Sequence, residues 1–191
     1  FLVFTLFSLI DYHFGIATIS AVFFPACFLV FLYKIDVFER ERFKDILVVF
    51  FLGIISTFFL CMIYVPLRDD IFGSMQAVKT LSLLAKFKYM LFGVAIPEEI
   101  IKIIPVLIVL KRTKFINEPI DYVIYASASA LGFAFLENIG YIDDYKETFP
   151  NILALRSLTC TFRHMAYTSF IALGLFFYME TKKIKYVILF F

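Results

Sequence analysis

The stretch "AIPEEIIKIIPVLIVL", residues 95–110, reads as a hydrophobic span yet holds Glu98, Glu99 and Lys102 inside it. Ionisable side chains in hydrocarbon are costly, and within membrane segments they mark reaction sites, ion pathways or proton relays. The rest of the chain supports the hydrocarbon reading. Its 191 residues are 62% hydrophobic and 20% aromatic, with 27 Phe and no Trp. A soluble domain carries roughly 45–50% apolar residues, and mean hydropathy here is +0.92. These values predict an all-α, polytopic membrane protein. The net charge is +2 and the charges cluster between apolar runs, which points to no nucleic-acid partner. Cys27, Cys61 and Cys160 are dispersed in apolar stretches, without the spacing of a disulfide framework or a zinc site.

Two stretches, 14–33 and 46–67, are free of charge for the ~20 residues that a helix needs to cross a bilayer. Three more, about 89–110, 119–140 and 157–179, are apolar but interrupted by ionisable groups, and partial spans lie at 1–10 and from 184 onward. Residues 71–88 place Ile71, Met75, Val78, Leu81 and Leu84 or Ala85 at helical spacing, which predicts an amphipathic helix in the membrane interface. Strand alternation is absent, so a β-barrel is not expected. The expectation is a single membrane-embedded domain over 1–191, cut at both ends from a longer chain. It would hold about six to eight transmembrane helices and the interfacial helix.

Lys and Arg in short loops set the orientation. Lys34, Arg40, Arg42 and Lys44 lie in loop 34–45, Lys111, Arg112 and Lys114 in 111–118, and Lys182, Lys183 and Lys185 in 180–185. Loop 141–155 pairs Lys146 with Asp143, Asp144 and Glu147. The first three are predicted to be cytoplasmic and the last to face outward. Segment 66–90 must then face outward despite Arg68, Lys79, Lys86 and Lys88.

The interrupted spans carry the chemistry. Glu98 and Lys102 are four apart, in the order that favours an ion pair on one helix face. Glu99 points about 100° away, so Lys102 is not expected to neutralise both carboxylates. Pro97 suits the first turn of a helix, whose positive end would lie beside both glutamates. In "SALGFAFLENIGYI", residues 129–142, Ala130, Ala134, Glu137 and Tyr141 share one face, and small residues from Ala126 to Ala134 permit close helix approach. In the third span Cys160, His164 and Thr168 form one stripe, and Arg156 and Arg163 another. At ~1.5 Å per residue, the three spans deliver Glu98, Glu99, Glu137 and His164 to one layer toward the outer face. Lone His13 and the run "ERERFKD", 39–45, read as solvated, and "NEPIDY", 117–122, as a polar turn and helix cap.

"PEEIIK" (97–102), "LGFAFLENIGY" (131–141) and "RHMAYTSFIALG" (163–174) together resemble the PrsW family of intramembrane proteases. Its pattern is EExxK, then GFAxxEN ending in an aromatic, then a downstream His followed by Thr and Gly. Glu98, Glu99 and Lys102 match the first motif. Phe133, Ala134, Glu137, Asn138 and Tyr141 match the second, and His164, Thr168 and Gly174 the third. Asp121 and Arg156 fall where such sequences carry Asp and Arg, and "YKIDVFERE" (33–41) resembles a segment upstream of the family core. The resemblance spans about residue 20 to residue 180. Type II CAAX prenyl endopeptidases and bacteriocin-processing homologues are more distant, because their middle motif uses His where Glu137 and Asn138 stand. The resemblance implies cleavage of a membrane-anchored protein on the extracytoplasmic side, typified by a single-span anti-sigma factor in a bacterial cytoplasmic membrane.

Peptide hydrolysis needs an activated water, a stabilised oxyanion and a proton for the leaving amine. Glu98 or Glu99 is the expected general base, the other being held by Lys102 or His164. His164 or Asn138 would serve the oxyanion or the amine, and Glu137 would orient His164 or share the water. A divalent metal such as zinc on Glu98, Glu99, Glu137 and His164 is the alternative. Ser127 and Ser129 have no partnered His on their helix, and nothing beyond proximity supports a Cys160–His164 pair. Two non-enzymatic readings remain open. A proton-coupled transporter predicts pH-dependent flux without cleavage, and a scaffold predicts that Glu98→Gln unfolds the protein.

Overall fold

The computed structural model describes residues 12–35, 39, 41–112, 116–145 and 150–191. Among them there is no strand, so the all-α expectation holds. In chain order the helices are α1 (Tyr12–Ile35), α2 (Phe43–Phe72), α3 (Met75–Val78), α4 (Leu83–Lys88), α5 (Ile96–Arg112), α6 (Pro119–Tyr145), α7 (Pro150–Thr181) and α8 (Lys185–Phe190). By length and composition, α2 and the Pro119–Tyr141 part of α6 could cross a membrane. The span expected at 1–10 lies outside the described residues.

Helix α6 is the centre of the bundle, packed against α1, α2, α5 and α7. Its small residues explain how four helices reach it. Ala126, Ala128, Ala130 and Ala134 are buried, and a Cβ on Gly132 would collide with the Phe50 carbonyl of α2. A Cβ on Gly53 of α2 would collide in turn with the Ser129 carbonyl. The two backbones touch, which side chains larger than hydrogen would prevent. Leu29 and Leu32 of α1, Ile46 and Val49 of α2, Val106 of α5 and Met165 of α7 complete the apolar core.

Two helices begin where the sequence marks them. Asp121 Oδ2 accepts from the backbone N–H groups of Asn117 and Glu118, both at 2.9 Å, satisfying donors that open α6. The cap read in "NEPIDY" is thus present. Asp121→Ala is expected to lower stability by about 1 kcal/mol, read from thermal unfolding in detergent. Regular α5 starts at Ile96, so Pro97 falls in its first turn as expected.

The segment expected to form one amphipathic helix over 71–88 is broken. Helix α2 continues to Phe72 and ends at Gly73, whose φ of 84° lies in the left-handed region that only glycine adopts freely. A single turn at α3 follows, and Ser82 restarts the chain as the N-cap of α4, its side chain accepting from the Ala85 N–H at 3.4 Å. Apolar spacing here was overridden by a glycine stop and a serine start. Leu83, Leu84 and Phe87 remain exposed.

Two π-helical segments, absent from the sequence expectation, flank the chemistry. Leu60–Tyr64 interrupts α2, and Tyr89–Ala95 joins α4 to α5. A π turn adds a residue to one turn and changes which face the following residues present. The Tyr64 hydroxyl donates to the Gly93 carbonyl at 3.1 Å and lies 3.4 Å from that of Phe92, so the two segments brace each other just before Glu98.

Candidate active site

Three helices meet at Lys102. The residue is 1% exposed, and its Nζ lies 2.7 Å from Glu99 Oε1, 2.9 Å from His164 Nδ1 and 3.7 Å from Glu98 Oε2. Both carboxylates therefore face the one ammonium, which the angular argument did not anticipate. Residues at i−3 and i−4 straddle the path of a lysine leaning back toward the helix N-terminus, so a long stem reaches both. The shorter contact goes to Glu99, not to the Glu98 partner favoured by four-residue spacing. The Phe133 ring lies under the same ammonium, its centroid 4.1 Å from Nζ, adding a cation–π contact from α6.

The contacts of His164 assign its tautomer. An ammonium can only donate, so Nδ1 accepts from Lys102 and the ring proton sits on Nε2. Nε2 then donates to Glu137 Oε2 at 3.0 Å. Glu137 orients the imidazole, one of the two roles open to it from the sequence. In this arrangement His164 is a neutral ring with both nitrogens engaged.

The carboxylates differ in how firmly they are held. Glu99 is engaged at both oxygens, by Lys102 and by the Thr168 hydroxyl at 2.8 Å. Glu137 takes His164 at one oxygen and Arg156 Nη2 at 3.3 Å at the other. Among the described residues, Glu98 has only the 3.7 Å contact with Lys102. Arg156 also donates from Nη1 to Asn138 Oδ1 at 2.8 Å, and its guanidinium carbon lies 3.5 Å from the centroid of the Tyr141 ring. Asn138 is buried, and its Nδ2 donates to Thr161 Oγ1 at 3.2 Å, so both ends of its amide tie α6 to α7.

All nine residues singled out from the sequence, Glu98, Glu99, Lys102, Glu137, Asn138, Tyr141, Arg156, His164 and Thr168, thus lie in one connected network. Arg163 does not join them. It is exposed and points its Nη2 at Cys160 Sγ, 3.5 Å away. Sequence reasoning missed Thr161 and Tyr64, and it saw Ser129 only as a rejected nucleophile. The Ser129 hydroxyl donates to the Lys102 carbonyl at 2.6 Å, locking α6 to α5 beside the site. A hydroxyl on a buried helix face is the signal that Thr161 and Ser129 carry, and the half-buried Tyr64 carries none.

Carboxylates, an imidazole and an ammonium are thus gathered inside an apolar helical bundle. The chain belongs to the PrsW family of intramembrane metalloproteases, whose family model matches residues 41–191. It is accordingly an integral membrane peptidase. No curated protein and no solved structure matches the chain.

A metalloprotease family implies a divalent ion, and glutamates with a histidine are a chemically suitable donor set for zinc. Their arrangement is not suitable. Lys102 Nζ lies between Glu98, Glu99 and His164 Nδ1, where the charge of an ion would have to sit. Among the described residues no group of three or more His, Cys, Asp or Glu is disposed to hold a metal. As arranged, the residues do not fit one.

Proposed function

We propose that this protein is an intramembrane endopeptidase that hydrolyses a peptide bond of a single-span membrane protein, such as an anti-sigma factor, near the outer face of a bacterial cytoplasmic membrane. The observation that carries the mechanism is the looseness of Glu98. It is the one carboxylate of the three without a short hydrogen bond among the described residues, so it has an oxygen for water. Glu98 takes a proton from that water as the oxygen bonds to the scissile carbonyl carbon. The oxyanion forms in the positive field of Lys102 and Arg156. Collapse of the adduct breaks the C–N bond, and the proton held by Glu98 passes to the leaving amine. Glu99 and Thr168 hold Lys102 in place, and Glu137 and His164 hold its other side.

Access and depth support the same reading. An apolar groove of about 600 Å³ runs between the start of α5 and α7, lined by Ala95, Tyr167, Phe170 and Ile171, with Glu99 on its wall. An apolar peptide segment lying along it would meet Glu99. The loop charges favour a site toward the outer face, and about six to eight spans would accommodate the interrupted helices α5 and α7.

The test is cleavage of single-span reporters by purified protein in liposomes, with the cut mapped by mass spectrometry. A cut within or just outside the outer-leaflet half of the reporter's span is expected. Proton flux without any cleavage would favour a transporter instead. Tyr64→Phe, which frees the π segment ahead of Glu98, is expected to lower kcat several-fold with KM unchanged. Its stability cost is about 1 kcal/mol.

A further inference from the structure

The groove between α5 and α7 ends beside a charge that the carboxylate network does not use. We propose that Arg163 is a specificity-determining residue, which binds an acidic side chain of the substrate just outside the apolar segment lying in the groove. The inference rests on the peptidase reading of the neighbouring cluster and names its substrate class, a membrane-anchored segment with Asp or Glu close to the outer side of the cut.

Three observations carry it. Arg163 lies three and four residues before Ala166 and Tyr167, and seven before Phe170, all of which line the groove. At 3.6 residues per turn these positions share one face of α7, so Arg163 continues the groove by one turn. The loop charges favour an inward-running α7, which makes that turn the outer one.

Arg163 also faces away from the bundle, exposed beside exposed Phe162, Tyr167 and Phe170. Charged side chains within membrane spans normally face the bundle interior or a water-filled cavity and pair there. Arg156 of the same helix does so, through Glu137 and Asn138. Among the described residues, the polar contact of Arg163 is Nη2 to Cys160 Sγ at 3.5 Å, and a thiol sulfur is a weak acceptor. A guanidinium presents five N–H donors in a planar fork that matches a carboxylate, so most of its capacity is left for a ligand from outside the chain.

The charges along this face select where that ligand can sit. An acidic side chain within the groove would meet Glu99, a like charge, among apolar residues. One turn outward it meets a cation instead. The face therefore accepts an apolar segment with a carboxylate at its outer end and disfavours the same carboxylate further in.

The experiment scans one residue in a cleavable reporter. Purified full chain in phosphatidylcholine liposomes is given single-span reporters with Glu, Gln or Lys at successive positions across the outer end of the span. Wild type is expected to cleave the best Glu reporter with kcat/KM about tenfold above its Gln counterpart, chiefly through KM, because the contact is made equally in bound substrate and transition state. Arg163→Gln should abolish that ratio. Arg163→Glu should prefer Lys to Glu at the same position, a reversal that loss of stability does not produce. Binding of the same reporters to Glu98→Gln protein in nanodiscs, read by fluorescence anisotropy, measures recognition without cleavage.

Equal kcat/KM for Glu and Gln reporters at every position would overturn the proposal and leave the peptidase reading standing. A Glu preference that persists in Arg163→Gln would overturn it by placing the acidic contact elsewhere. An equal loss on all reporters in Arg163→Gln would overturn it in favour of a lipid phosphate as the partner. No cleavage, with a Glu-specific affinity that Arg163→Glu reverses, would support the acidic contact and remove the peptidase reading. Neither cleavage nor a charge preference in binding would overturn both.

Discussion

Glu98→Gln is expected to lower the kcat of peptide cleavage by about three orders of magnitude, the usual worth of a positioned general base, with the protein still folded. The amide keeps the shape of the side chain but cannot take the water's proton. Little stability should be lost, because the only described partner of Glu98 is the ammonium at 3.7 Å, which keeps its contacts with Glu99 and His164. Glu99→Gln should inactivate as well, but by a different route. It removes the charge from the 2.7 Å partner of a fully buried lysine, and breaking a buried pair from one side costs about 3 kcal/mol. Cleavage rates beside thermal unfolding in the same detergent separate the two. A folded, inactive Glu98→Gln with a destabilised Glu99→Gln assigns the base to Glu98. The reverse pattern moves the base to Glu99. Unfolding of both would favour carboxylates that only lock the helices together.

Gly132→Ala is expected to destabilise the protein by about 3 kcal/mol, near the upper end for overpacking. The added Cβ would have to displace the Phe50 carbonyl, and backbone cannot rotate aside as a side chain can. Because α6 also carries Phe133 and Glu137, a shift of α6 away from α2 should disturb the His164 contact and reduce activity. Gly140→Ala is the control. It lies on the same helix with nothing within 4 Å of the new Cβ, and exchanging glycine for alanine within a helix gains up to about 1 kcal/mol. The same substitution eight residues apart should therefore change sign. Equal effects in chemical unfolding from mixed micelles would mean that α2 and α6 do not touch as described.

Much of this protein was legible in one dimension. Hydrophobic runs announced helices, and because the α-helix has one period, spacing alone aligned Glu98 with Lys102 and His164 with Thr168. The order of "PEEIIK", "LGFAFLENIGY" and "RHMAYTSFIALG" pointed to the family that matches residues 41–191. Asp121 announced the start of α6 because a cap is a contact between near neighbours in the chain.

Other features were decided only by packing. The break of the 71–88 segment depended on Gly73 adopting a positive φ, and the π segments on two stretches of chain bracing each other through Tyr64. Spacing favoured Glu98 as the partner of Lys102, whereas the folded protein gives the short contact to Glu99, because Thr168 of α7 fixes that carboxylate from across the bundle. Periodicity sets which residues share a face of one helix. It does not set the rotation of that helix against its neighbours, and it is this rotation that placed His164 Nδ1 on Lys102, aimed Nε2 at Glu137 and left Glu98 with a 3.7 Å contact to Lys102.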